Sequence, residues 1–448
     1  MQLAICEKIT IFIYFDNNPL AMLIRFKVSN FLSFKEEVTF SMIANKDDTL
    51  INNLFNSKDF LLKKSAVIFG PNGTGKTNLI KALALTKYLV LHSKNFKKEE
   101  EFMERPFKLD SNYGIIKPIT FEIDFLKENN VYNYLIKISL EKKGEYNFFI
   151  AQEKLTKNDR LLFDFYETDR NKSRYDASLK DEIEKRVSLK NKNILLLSHV
   201  REKNFDQFDE VFGWFKDNLE VFVRGFESKV NVEKELENKE LNDAVLKTLN
   251  NCSFSRISKM EVVKKKFDVE KFLEHVREEQ VLTEKALDLI KKEKTDYSWE
   301  INSYHKNNLN KEVGFSMRDE ESSGTNTFVN LLVHILKAEK NKVLIIDEIE
   351  KNLHPILLKK IYELIHLSKN NIQLIATTHA YPLLLFVNDE QNEIFRRDQI
   401  YFTRLLKNES TEVYSLINVG GIRKDLKIFK AYFDGRLEAF PVCKNEPE

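Results

Sequence analysis

The sequence predicts an α/β fold with an antiparallel β subdomain and a helical insertion. Three observations support this class. A short apolar strand at 65–69 runs into a glycine-rich loop and then into a helix with an apolar core pattern. Residues 118–168 alternate apolar and polar side chains between charged turns, as antiparallel strands do. Residues 203–300 are rich in Glu, Lys and Leu at helical spacing and contain no proline, which favours helices.

Composition sets the limits of the argument. The 448 residues suffice for two or three modest domains, or for one large domain with an insertion. Lysine and arginine number 71 against 69 acidic residues, so bulk charge gives no argument for nucleic acid. Cys6, Cys252 and Cys443 are far apart, which argues against a disulfide framework and a zinc site. No apolar run approaches the roughly 20 residues of a membrane helix, and we expect a cytoplasmic protein without membrane contact.

The first 21 residues are predicted to be a tail of uncertain status. Residues 9–15 (ITIFIYF) are apolar, but no clean small-residue cleavage site follows, so a signal peptide is a weak alternative. We expect Met22 to be the natural start, because a strand-like run begins there. Residues 22–42 alternate apolar and polar side chains, which predicts a strand or hairpin.

Residues 70–77 fit the pattern GxxxxGKT between a predicted strand and a predicted helix. Glycines let the backbone turn its N–H groups inward, and these amides and the helix N-terminus favour phosphate. We expect Lys76 to contact the β- and γ-phosphates and Thr77 to bind Mg²⁺; a glycine turn without a ligand is the alternative. The predicted cofactors are therefore ATP and Mg²⁺. The predicted nucleotide-binding residues of this loop are Gly70, Pro71, Asn72, Gly73, Thr74, Gly75, Lys76 and Thr77.

Helices and strands are predicted to alternate through the rest of the chain. Residues 193–198 (NILLLS) predict a short strand before the insertion. Apolar periodicity then continues toward the C-terminal part. The elements predicted there are a helix at 326–340, a strand at 343–346, a helix at 355–368, and strands at 372–376, 399–403 and 412–416.

Asp347 and Glu348 stand at the carboxyl end of the aliphatic strand 343–346. Two adjacent carboxylates there are costly to bury unless a cation or a nucleotide uses them. We expect Asp347 to help bind Mg²⁺ and Glu348 to orient or activate water. The alternative is that both acids cap the N-terminus of a helix. His379 follows the next strand in Thr-Thr-His. We expect it to contact the γ-phosphate, although a lone histidine is more often structural.

The order of these motifs resembles that of ABC-type ATPase heads, including SMC-like and RecF-like proteins. Such heads often read D-E-P-T-A-N-L-D after the strand, and this chain reads DEIEKNLH at 347–354. The stretch ESSGT at 321–325 stands where the family's S-G-G signature stands, and a common Ser-Ser-Gly turn is the alternative. The resemblance implies a P-loop NTPase head in which Ser322 and Gly324 bind the γ-phosphate of the nucleotide held by the other protomer. It thus implies a head-to-tail dimer. The family's Q-loop glutamine is not obvious, since Gln152 has a strand-like context.

The chain is also similar to the bacterial RloA-type ATP-binding proteins, filed as AAA-type subgroup fifteen. The resemblance implies that Asn30 and Phe31 lie near the base or ribose. Members are often encoded in phage-defence loci beside an effector, as RloA with RloB, or the AriA ATPase of PARIS with a TOPRIM nuclease. The resemblance therefore implies an ATPase that acts as sensor and scaffold in a homo-oligomer, with a partner nuclease and a phage-derived trigger. The stretches that carry it are LIRFKVSNFLSFKEEVTFSM, PITFEIDF, ESSGT, RRDQIYF and YFDGRLEAFP.

These expectations leave two other functional classes open. An overcoming-lysogenization-type ATPase carries its own TOPRIM nuclease. The chain after His379 leaves too little room for such a domain of about 100 residues, so we expect any nuclease chemistry in another chain. A DNA-repair ATPase of the RecF or SMC kind needs a basic face or long arms. The arms are absent, and the Lys-rich stretch 254–266 is the candidate patch, which an exposed charged helix explains as well. The predicted division is a tail at 1–21, a first head segment at 22–200, a helical insertion or lid at 201–310 and a second head segment at 311–448.

Overall fold

The fold is taken from a computed structural model of the chain. It describes residues 20–439, with gaps at 58, 97–105, 111–116, 144, 190, 202–204, 228–230, 253–255, 267–296, 339, 388–391, 422 and 424–425. The predictions for residues 1–19 of the tail and 267–296 of the insertion lie outside the described residues.

Strands provide most of the framework. They are, in chain order, β1 (Leu23–Ser29), β2 (Val38–Ser41), β3 (Leu54–Asn56), β4 (Leu61–Lys63), β5 (Ser65–Phe69), β6 (Ile119–Lys127), β7 (Asn130–Lys143), β8 (Glu145–Lys157), β9 (Arg160–Tyr166), β10 (Arg174–Tyr175), β11 (Leu219–Phe222), β12 (Ile257–Lys266), β13 (Tyr297–Lys306), β14 (Glu312–Ser316), β15 (Lys342–Ile346), β16 (Ile372–Thr377), β17 (Ile400–Leu405) and β18 (Thr411–Ser415).

The α-helices lie mainly in the second half of the chain. They are α1 (Lys76–His92), α2 (Lys180–Ser188), α3 (Leu196–Val200), α4 (Asp209–Gly213), α5 (Val232–Glu235), α6 (Lys239–Asn251), α7 (Ser323–Lys337), α8 (Pro355–Leu367) and α9 (Ile428–Phe433).

A six-stranded sheet carries the loop 70–77 at the end of its strand β5. Its strand order is β11-β15-β16-β5-β17-β18, and neighbours run parallel except for the last pair. Alternate side chains of β5 enter two different cores, as the period of a strand requires. Ala66 and Ile68 belong to the core shared with the antiparallel sheet, whereas Val67 and Phe69 belong to the core that α7 and α8 cover.

A seven-stranded sheet forms the antiparallel subdomain that the alternating pattern of 118–168 predicts. Its order is β10-β9-β8-β7-β6-β1-β2, and each neighbouring pair is antiparallel. One face packs on α1, which follows the glycine loop. The predicted α/β class with an antiparallel β subdomain is therefore confirmed.

The region 201–310 differs from the purely helical insertion that its composition predicts. It contains α4 to α6, but β11 is an edge strand of the six-stranded sheet and pairs with β15. Residues 257–266, expected on a charged helix, form β12 and pair with β13. Ile257 and Met260 of β12 are buried in the same core as α6, and Asn242 of α6 donates to Met260 O at 3.3 Å, so packing decides in favour of a strand.

The stretch 193–198 is also a correction, because it enters helix α3 rather than a strand. The cause lies outside the segment. The buried carboxylate of Glu153 on β8 accepts from the amides of Leu196 and Leu197, the latter at 2.9 Å. A negative group at this position satisfies the free amides of a helix N-terminus.

At the described start of the chain, Leu20 and Ala21 are buried and continue into β1. The backbone of Leu20 accepts from Glu128 at 3.1 Å. The last two residues of the predicted tail thus belong to the packed fold. Among the described residues, no helix combines the length and the apolar character that crossing a membrane requires.

Candidate functional site

The loop 70–77 leaves β5 and ends where helix α1 begins. Gly75 caps this 17-residue helix from a left-handed conformation, with φ at +95°. The first turn of α1 contains no acidic side chain. Its free amides and the positive end of its dipole therefore face the loop without a competing carboxylate on the helix, an arrangement suited to phosphate.

Two glycines of this loop are required by close approach of other segments. A Cβ atom at Gly70 would overlap the hydroxyl of Thr403, and one at Gly75 would overlap Thr411 and lie 2.7 Å from Ser33 Oγ. Gly73 has φ at +79° and would meet no atom within 4 Å. The backbone conformation alone therefore favours glycine at position 73.

Hydroxyl groups from distant parts of the chain hold the loop in place. Thr74 Oγ1 donates to Pro71 O at 2.8 Å and lies 2.6 Å from Thr403 Oγ1. Thr411 Oγ1 donates to Thr74 O at 2.9 Å and lies 2.7 Å from Ser33 Oγ. Ser33, Thr403 and Thr411 could not be predicted, because no local motif marks a hydroxyl that reaches the loop through the fold.

Lys76 is buried and its ammonium group points back over the loop. Nζ donates to Gly70 O at 2.7 Å and to Pro71 O at 2.9 Å. Burial lowers the pKa of Lys76 to about 8, and the nearby carboxylates of Glu350, Asp347 and Glu348 oppose this shift. The cation therefore lies between the loop and a group of acids.

The two remaining side chains of the loop prediction face solvent more openly. Asn72 is exposed, and Thr77, the second residue of α1, is half-buried. A hydroxyl at this helix position lies beside the amides of the loop. Thr77 is thus available as an oxygen ligand, as the motif predicts.

Asp347 and Glu348 follow β15 and meet the end of β16, the strand beside β5. Thr377 Oγ1 donates to Asp347 Oδ1 at 2.6 Å and accepts from the Glu348 amide at 2.8 Å. Asp347 is buried, whereas Glu348 is exposed and has φ at +51°. Carboxyl ends of parallel strands share one edge of a sheet, so these acids and the loop lie on the same side.

Glu350 connects the acid turn to His379, and sequence reasoning missed it. Its Oε1 accepts from the His379 amide at 2.6 Å. Its Oε2 is buried and has no hydrogen-bond partner in the described part of the chain. Burial and the charge of Lys76 lower the pKa of His379, while the charge of Glu350 opposes them. The sequence DEIE at 347–350 was the available signal for Glu350, since a single residue separates this glutamate from the acid pair.

Ser322 and Gly324 lie at the start of helix α7. Ser322 is exposed and caps the helix by accepting from the Thr325 amide at 3.1 Å. A Cβ atom at Gly324 would lie 2.7 Å from Asn352 O, in the turn that follows the acids. The signature serine therefore faces outward, and its glycine lets α7 pack closely on that turn.

Asn30 and Phe31 differ from their predicted role beside the base or ribose. Asn30 is buried, donates to Lys117 O at 2.6 Å and accepts from the Phe107 amide at 3.1 Å. The Phe31 ring is buried against Phe121. Both side chains are committed to the antiparallel subdomain. Ser33 is the residue of this segment that reaches the start of α1.

The residues present fit a nucleotide with Mg²⁺. Lys76 and the free amides of α1 supply positive groups for phosphate, and the carboxyl group of Glu350 lies near that lysine with its Oε2 buried. Thr77 and Asp347 offer the hydroxyl and carboxylate oxygens that Mg²⁺ prefers, with phosphate oxygens as the usual further ligands.

The chain is similar to one protein family and to solved SMC heads. A family model described as "AAA domain, putative AbiEii toxin, Type IV TA system" matches residues 65–385. The chain is similar to the SMC head domain from Thermotoga maritima, with 11% identity and a TM-score of 0.40 over 88% of this chain and 98% of that one. It is also similar to an SmcHead solved with the C-winged helix domain of ScpA, with 12% identity and a TM-score of 0.37 over 88% and 97%. The search of curated proteins finds no match.

The family match covers the parts of the chain that build the site. It runs from the first residue of β5 past His379, and so includes the glycine loop, the signature helix and the acid pair. It spans well over half of the 448 residues. The chain therefore belongs to this family of AAA-type P-loop ATPase domains.

Proposed function

We propose that this protein is an ABC-type ATPase whose two copies close head to tail around ATP, and that it controls a separate effector nuclease in antiphage defence. The observation that carries the first part is the position of Lys76, between the loop carbonyls and the acids after β15. A buried lysine facing carboxylates across a phosphate-binding loop suits a nucleoside triphosphate with a divalent cation.

Each residue of the site has a distinct role in this proposal. Lys76 binds the β- and γ-phosphates, and Thr77 with Asp347 holds Mg²⁺, which would neutralise phosphate charge. Glu348 is exposed at the strand end and orients the attacking water. His379 contacts the γ-phosphate from the loop that Glu350 holds.

The outward position of Ser322 supports a second copy as the partner. An exposed serine at the N-terminus of a 15-residue helix offers a hydroxyl and free amides to an anion. In the proposed dimer, Ser322 and Gly324 of one protomer complete the γ-phosphate contacts of the other. The site is then a composite of two chains, and ATP acts as the bridge that holds them together.

The part of the proposal that concerns defence rests on the resemblance to RloA-type and AriA-type ATPases. The matching family's description names a toxin of a type IV toxin–antitoxin system, which is in keeping with a role in a system that pairs two proteins. In this proposal a phage-derived trigger alters the ATP-bound dimer, and a nuclease encoded nearby, of TOPRIM or RloB-like type, is released or activated.

Nucleotide binding is tested by titrating a fluorescent ATP analogue with Mg²⁺. We expect Lys76→Ala to weaken binding by at least about 100-fold, because a charge-assisted contact to phosphate is lost in a partly buried site. Lys81→Ala, further along the same helix, is the matched control and retains wild-type affinity. Equal affinity of the two variants would contradict the assignment of the loop.

Dimer formation is tested on Glu348→Gln, which is expected to bind ATP and hydrolyse it slowly. Native mass measurement should give two chains with ATP and one without it. Adding Ser322→Arg should keep the mass at one chain while each chain still binds ATP. Asn238→Arg, which removes the cap of α6 instead, is the control for helix capping. A Ser322→Arg variant that still dimerises would overturn the composite site.

The defence role is tested in cells that carry the protein with its neighbouring genes. Lys76→Ala and Glu348→Gln should both lose phage resistance, and a nuclease should co-purify with the wild-type protein. Full resistance in both variants, together with purification of the ATPase free of any effector, would rule this role out. Cleavage of DNA by the isolated protein would place the nuclease in this chain instead.

A further inference from the structure

A basic cleft lies beside helix α9, outside the ATP site. It has a volume of about 550 Å³, and the described charged residues that line it are four cations and one carboxylate. All five of these side chains are exposed. We define the basic cleft by its charged residues, which are Arg423, Lys427, Lys430, Asp434 and Arg436.

The four cations of the basic cleft have no carboxylate partner among the residues that the structure describes. Within the part of the chain that the structure describes, none of the four lies within 4 Å of a carboxylate oxygen. The molecule as a whole is nearly balanced, with 71 basic and 69 acidic residues. A local excess of positive charge in a concave surface focuses the electrostatic field and attracts an anion.

The Lys-rich stretch 254–266 differs in this respect. On β12, Lys259 pairs with Glu261 at 3.5 Å and Lys265 pairs with Glu300. Lys264 lies over the ring of Trp299, 5.4 Å from its centre. Three lysines of the candidate patch that composition suggested therefore have partners within their own sheet, whereas the cations of the basic cleft have no carboxylate partner among the described residues.

The wall of the basic cleft is firmly attached to the ATPase core. Arg397 donates to the backbone oxygen of Arg423 at 3.0 Å, and Tyr414 donates to Leu437 O at 2.6 Å. The buried ring of Tyr432 on α9 stacks on Tyr381 with centroids 4.6 Å apart. The cations are thus held on a fixed surface, which lowers the entropy lost when a ligand binds.

This surface also leads toward the ATP site. Tyr381 follows His379 by two residues, and its hydroxyl lies 3.4 Å from Gly70 O. Tyr381 therefore contacts both the helix that lines the basic cleft and the first residue of the phosphate loop. A ligand in the basic cleft would therefore lie against α9, whose Tyr432 packs on Tyr381, two residues after the candidate γ-phosphate contact His379.

We propose that the basic cleft binds the phosphate backbone of a nucleic acid. Exposed lysines and arginines along one open surface suit a polymer of evenly spaced phosphates, and such contacts position a strand without reading its bases. When these cations contact phosphates, counterions condensed on the nucleic acid are released, so binding is strongly salt-dependent. The site is separate from the loop at 70–77 and needs no ATP.

The test is fluorescence anisotropy of a labelled 20-base-pair DNA duplex with the full chain, without ATP, at 50 mM and 200 mM salt. The variant is Lys427→Gln with Lys430→Gln, and the matched control is Lys264→Gln with Lys265→Gln on β12. We expect the cleft variant to bind about tenfold more weakly at low salt. Its slope of log affinity against log salt should fall by about 2, one unit for each lost phosphate contact.

The control variant and Lys76→Ala should both bind DNA within about twofold of wild type. A thermal melt of each variant verifies folding, and the charge-keeping variants Lys427→Arg and Lys430→Arg should retain wild-type binding. The proposal is overturned if the cleft variant keeps wild-type affinity and salt slope. It is equally overturned if tripolyphosphate or an acidic peptide competes at the same charge concentration as DNA, because the site would then accept any anion.

Discussion

Glu350 joins two loops that a linear motif treats as separate. Its carboxylate accepts from the His379 amide at 2.6 Å. Of the three carboxylates that oppose the lowering of the Lys76 pKa, Glu350 has the largest effect. Thr377 makes the second connection, between Asp347 and the Glu348 amide. The loops after β15 and β16 are therefore one hydrogen-bonded unit, and a change at either side chain is expected to move His379 or Glu348.

We expect Glu350→Ala to destabilise the chain by about 1.5–3 kcal/mol, the usual value for a hydrogen bond to a charged group. The His379 amide should exchange with deuterium faster. Glu350→Gln keeps an oxygen acceptor and should retain most of the protection, while it removes the charge. Urea unfolding and exchange of the peptide spanning 377–381 measure both effects. Glu363→Ala, a surface ion-pair variant, is the control. Unchanged exchange in Glu350→Ala would contradict the connection.

Helix α1 depends on the chain that approaches its first turn. Gly75 must combine φ at +95° with close contacts from Thr411 and Ser33, which belong to the C-terminal and N-terminal parts of the chain. The start of the helix is thus set by the strand β18 and by the turn after β1, as well as by its own sequence.

At this element we expect Gly75→Ala to lower stability more than Gly73→Ala does. Both positions have a positive φ, which costs a side chain about 1–2 kcal/mol. A Cβ atom at Gly73 meets open space, whereas one at Gly75 collides with Thr411. Urea unfolding of the two variants gives the comparison directly. Equal losses would mean that the contacts around Gly75 are not rigid.

Across the whole molecule, buried polar groups tie the N-terminal part of the chain to the C-terminal part. Gln373 on β16 accepts from the Leu23 amide at 2.9 Å and donates to Lys63 O at 3.1 Å. Lys63 donates to Ser41 O at 2.8 Å and to the Tyr401 hydroxyl at 2.8 Å. These partners are more than 300 residues apart in sequence in three of the four contacts, so these bonds join the two ends of the head in the folded chain.

Lys63 should also make the stability of the molecule depend on pH. Burial lowers its pKa from 10.5 to about 7 in the folded chain, although Asp398 opposes this shift. Between these values the unfolded chain binds more protons than the folded one, so the free energy of unfolding rises with pH from about 7 toward 10. The slope from this group approaches about 1.4 kcal/mol per pH unit. Urea unfolding at pH 7, 8 and 9 should show the rise in wild type and a smaller one in Lys63→Met. Parallel curves would contradict it.

Much of the site could be predicted because its signals are local. Glycines at fixed spacing before Lys76 and Thr77, and acids directly after an aliphatic strand, are chemical requirements that neighbouring residues express. The role of Asn30 and Phe31 came from the family resemblance, and no local signal supported it. Their burial depends on β6 and on the segment around Phe107, and no pattern within 22–42 distinguishes a buried polar residue from one that faces a ligand.

By itself the sequence determined the phosphate loop, the acid pair after β15, the place of His379 after the next strand and the α/β class. Only the tertiary structure decided that 196–200 is helical and 257–266 a strand, since a buried carboxylate and a neighbouring strand override local propensity. It also decided that Glu350 holds His379, and that four cations without a carboxylate partner among the described residues lie together beside α9. Each depends on which distant side chains meet, and that is set by the packing of the whole chain.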